Sequence, residues 1–107
     1  MKHQIAKGLG LFTLTVAVLP ALAQEGDMHA GLTVAQNTCA ACHAIRKGQQ
    51  SANANAPAFE KIADVPGMTA IALQASLQTS HRSMPNLILS AEDRRNVVAY
   101  ILSLKPR

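Results

Sequence analysis

Tryptophan is absent from this chain of 107 residues, and large aromatic rings are nearly absent with it, at two phenylalanines and one tyrosine. A core short of such rings must be filled by aliphatic side chains or by something that is not a side chain. Cysteine is limited to two residues, so no disulfide framework of the kind that staples small exported domains can form. Charged residues make up only 15% of the chain, and the basic ones are scattered with no aromatic ring alternating among them, which argues against a nucleic-acid surface. No stretch alternates convincingly as a strand. The expected fold class is therefore all-α.

The first residues do not read as part of the domain. Lys2 and Lys7 form a short basic region, an apolar run extends from Leu9 to Leu19, and Ala21-Leu22-Ala23 makes a small-residue cleavage site. This is the three-part pattern of a secretory signal peptide, and the run falls short of the roughly 20 residues that span a bilayer. The reading predicts a cleaved leader over 1–23, a mature domain over 24–107 and no permanent membrane anchor. Without Lys2 and Lys7, eight basic residues face six acidic ones, so the mature protein is only weakly basic. At 84 residues, it is near the size at which one hydrophobic core becomes marginal.

Within the mature part, Gly48 to Ala58 ("GQQSANANAPA") reads as a long loop of the kind that is functional or wrapped around something. Helices are expected over Thr33–Ala44, Pro57–Ala63 and Met68–Thr79. The clearest follows Ser90, an N-cap with Asp93 at the third helical position, and carries the apolar stripe Val97, Val98, Ile101, Leu102 and Leu104.

The two cysteines lie in "NTCAACHAI". A disulfide between Cys39 and Cys42 would close a tiny loop and staple almost nothing. A thiol-redox motif lacks the strand–helix–strand pattern that carries it, and a zinc site lacks a second pair of ligands. Haem attachment accounts for both cysteines and the adjacent histidine together. Thioethers from Cys39 and Cys42 would fix the ring to a helix, His43 would lie beneath the iron, and Ala40 and Ala41 are small enough to permit close approach.

From these residues the chain resembles a small class I cytochrome c over nearly all of its mature length. "CAACH", "NAPAF", "MPNL" and a final helix ending "VVAYILSLK" occur in the family's order. The resemblance implies short helices packed around one covalently bound haem c. It implies Met84 as the second iron ligand, and Pro85 supplies an independent argument by holding Met84 in extended backbone. Met68 is the competitor, with core packing as its ordinary role. The resemblance also implies that the Pro57 carbonyl accepts the His43 ring N–H; otherwise Pro57 simply ends the loop. Arg46, Lys47 and Arg82 are either rim charges at the haem edge or plain solvated side chains, and His81 and His29 receive no ligand role. The sequence departs from the family in two ways. Ala35 replaces a frequent aromatic, which predicts a smaller contact between the first and last helices. The missing tryptophan removes a partner for a haem propionate, leaving Asn53, Asn55, Arg82 and Ser83 as substitutes.

The function expected is that of a periplasmic single-electron carrier with His/Met-ligated haem, exchanging electrons with dehydrogenases, reductases or oxidases, and not an enzyme. Alternatives are an open-site or labile-Met haem protein, gas-binding or peroxidase-like, and a cytochrome subunit of a dehydrogenase or reductase complex.

Overall fold

The computed structural model describes residue 8, residues 10–18 and residues 25–107. The expected cleavage site at Ala21–Ala23 lies outside the described residues, and residues 10–18 carry no regular secondary structure. Four α-helices follow in order: α1 (Met28–Val34), α2 (Phe59–Ala63), α3 (Ala70–Gln78) and α4 (Ala91–Ser103), with a π-helical segment, Ala35–Cys39, continuing α1. No strand occurs among the described residues. No described helix is long and apolar enough to cross a membrane.

The first helix begins five residues earlier than the sequence pattern suggests. The Asp27 carboxylate caps it, accepting the N–H groups of His29 at 2.7 Å and Ala30 at 3.3 Å. It also ends sooner, at Cys39, where Cys42 N and His43 N both turn back to the Cys39 carbonyl at 3.1 and 2.9 Å. Thr69 caps α3 through Ala72 N, and Ser90 caps α4 through Asp93 N at 3.0 Å.

α4 is the hub, packing on α1, α2 and α3, with the most extensive contact to α1. Small residues shape that contact. Gly31 has no side chain to hold the helices apart, and a Cβ there would collide with the Asn96 carbonyl and Tyr100 Cβ of α4. Ala35 is fully buried in the same seam. Buried Asn96 completes the crossing by accepting the Asp27 N–H at 2.8 Å. The core is otherwise aliphatic with one Phe and one Tyr, and among the described residues only Val97 and Val98 are large side chains with under 2% of their surface exposed.

Candidate functional site

A cavity of about 410 Å³ occupies the space where a larger core would lie, between the end of the π-helical segment, the 53–57 loop, α2, α3 and the 81–87 segment. Cys39, Cys42, His43, Pro57, Met68 and Met84 all line it. Sequence positions up to 45 apart are thus brought to one wall-lined space.

The attachment motif enters this space from a widened helical turn. Ala40 N bonds to the Ala35 carbonyl at 2.9 Å, a five-residue step that marks a π-bulge of the sort found at functional sites. The two cysteines are not joined to each other; Cys39 is buried and Cys42 half-buried. Burial pushes the Cys39 thiol above its ordinary range.

His43 is held from two sides. Its Nδ1–H donates to the Pro57 carbonyl at 2.6 Å, so Nε2 keeps its lone pair for another partner. The Phe59 ring lies tilted against the imidazole, at 5.4 Å between centroids. The following residues are tied down as well. Ala44 donates to Ser51 Oγ at 2.9 Å and its carbonyl accepts Phe59 N at 2.9 Å, while Asn53 N reaches the Cys42 carbonyl at 3.1 Å. The polar loop therefore folds back over the motif.

Met84 and Met68 face the cavity in different settings. Met68 packs against the hydrophobic core, whereas Met84 is half-buried in the loop after α3. Of the four suggested propionate partners, Asn53, Asn55 and Ser83 line the cavity and Arg82 does not. Arg46 and Lys47 are exposed and lie outside it. His29 is exposed in the first turn of α1, away from the cavity.

The cavity's chemistry matches a haem. No Asp, Glu, Lys or Arg lines it, and Ile62, Leu73, Val97 and Ile101 supply apolar walls. Its size lies within the roughly 300–1,000 Å³ usual for cofactor pockets. Two thiols and an imidazole with Nε2 unspent meet in it, a set suited to covalent attachment and axial ligation. Sequence reasoning overlooked Phe59, Leu73 and Ser51 here. Phe59, in "NAPAF", was the legible one, because it is the only Phe after residue 12.

Residues 26–101 match the family described as cytochrome c oxidase, cbb3-type, subunit III. The chain is 34% identical over 104 residues to cytochrome c-552 of Bradyrhizobium diazoefficiens, a similarity covering 97% of this chain and 99% of that relative. No solved structure matches it.

Proposed function

Since the chain belongs to the small monohaem cytochrome c family, we propose that it is an exported, periplasmic electron carrier whose haem is tethered by Cys39 and Cys42 and ligated by His43 and Met84. Family membership makes it a c-type cytochrome, an electron-transfer protein rather than an enzyme, with covalently bound haem c and redox proteins as partners. When bound, the haem supplies a one-electron couple between ferric and ferrous iron.

The chain's own residues tune that couple. Thioether bonds from Cys39 and Cys42 would keep the cofactor in place through repeated docking. Donation from His43 Nδ1–H to Pro57 fixes the ring's orientation and strengthens Nε2 as a donor. The Met84 thioether is a weak donor that favours the ferrous state, and the aliphatic walls favour the same state by keeping water out. Export is supported by the leader pattern, and the packed domain includes residues soon after the proposed cut. Gly26, three residues past the proposed cut after Ala23, already packs against the α4 backbone.

The observation that carries the reading is that His43, its imidazole oriented by Pro57, and Met84 line one uncharged cavity with both thiols. The ferric wild type is expected to be low-spin with a far-red sulfur-to-iron band. Met84→Ala should lose the band, admit carbon monoxide in the ferrous state and show a lower potential, while Met68→Ala should do none of these. Rapid carbon monoxide binding by the wild type, with a spectrum indifferent to Met84→Ala, would favour the open-site alternative.

A further inference from the structure

The segment 80–89, which carries Met84, is held unlike the rest of the domain. No main-chain hydrogen bond joins it to any other described residue, whereas the His43 side has the Pro57, Ser51, Phe59 and Asn53 bonds given above. Two side chains tie it instead. At its start, the His81 ring donates from Nε2 to the Ser76 carbonyl, in the last turn of α3, at 2.8 Å. At its end, the Arg94 guanidinium reaches the Leu89 carbonyl only at 3.5 Å, and the Arg94 Nε is buried without a partner. His81 therefore makes the short bond of the two.

Space exists on both sides of this segment. A second cavity of about 420 Å³ lies between the end of α3 and the start of α4; His81, Met84, Pro85 and Leu87 line both it and the first, as do Ser76 and Leu77 at the end of α3. The segment is a partition, and outward movement of Met84 meets open volume instead of packed side chains. Such a wall stays in place only if something fastens it.

We propose that His81 is the positioning residue for Met84. Its bond to Ser76 latches the segment to α3 and keeps Met84 from retreating into the second cavity. The proposal rests on Met84 being the sixth ligand. A hydrogen bond of ordinary net strength shifts such an in/out equilibrium by about fivefold.

The test uses the haem-loaded ferric protein, titrated with imidazole, as wild type, His81→Ala and His81→Gln, with the denaturation midpoint measured for each. Apparent imidazole affinity scales with the fraction of molecules whose sixth position is free, so His81→Ala should bind about fivefold more tightly with little change in midpoint. His81→Gln retains an N–H donor and should return towards wild type. The latch is overturned if His81→Ala leaves imidazole affinity unchanged, if both variants rise equally, or if the rise merely tracks a loss of global stability. Absence of the far-red band in the wild type would defeat Met84 ligation itself. The band present, with unmoved affinity in His81→Ala, would defeat the latch alone.

Discussion

Tyr100 shows how much one side chain can fasten. Its hydroxyl, buried in the seam between α1 and α4, donates at 2.6 Å to the carbonyl of Ile45, two residues beyond His43. Its Cβ lies beside Gly31, so one residue links the last helix both to the first helix and to the segment that leaves the attachment motif. Tyr100→Phe keeps the ring and removes the donor, leaving a buried carbonyl unsatisfied, which costs about 1–3 kcal/mol. The expected result in guanidinium denaturation of the oxidised protein is a lower midpoint with an unchanged slope. An unchanged midpoint would mean that water replaces the hydroxyl without loss.

At the scale of elements, the crossing of α1 and α4 depends on backbones in contact. Gly31 has its Cβ position filled by the Asn96 carbonyl, and Asn96 in turn receives the Asp27 N–H. Gly31→Ala forces the helices apart despite alanine's better helix propensity, and overpacking of this kind costs about 1–3 kcal/mol. Thermal unfolding of the haem-loaded variant should show the loss; a gain in stability would show that the crossing yields easily. The π-helical turn Ala35–Cys39 belongs to the same scale. It lets a helix seated on α4 deliver Cys39 to the cavity, and a regular helix would set the thiol at another angle.

For the molecule as a whole, the small core and the cavity are one fact. Helices α2, α3 and α4 meet around a cavity of about 410 Å³, and among the described residues the only large side chains with under 2% exposure are two valines. A domain of this size without its central filling should not pack uniquely. The double variant Cys39→Ala/Cys42→Ala, prepared free of haem, is therefore expected to retain helical far-ultraviolet dichroism at most and to lose its near-ultraviolet signal. Cooperative, native-like unfolding of that apoprotein would contradict the account.

Local chemistry made much of this legible in advance. The Cys39–Cys42–His43 spacing, the Ser90 cap and the α4 stripe are set by neighbours in sequence, so the helical class, the covalent haem and the last helix could be read without coordinates. The long loop's role could be read only in part: the family resemblance implied the bond from His43 to the Pro57 carbonyl, but a polar composition does not say that Ser51 Oγ accepts Ala44 N. The close contact of α1 and α4 was not legible, since only the approach of two backbones gives Gly31 its meaning. The early start of α1 rests on Asp27, whose capping N–H bonds depend on local geometry that a weak hydrophobic period does not reveal. What tertiary structure alone decided was the asymmetry between the two faces of the site. Hydrogen bonds that close over long separations fix the His43 side, while a partition with open volume behind it carries Met84.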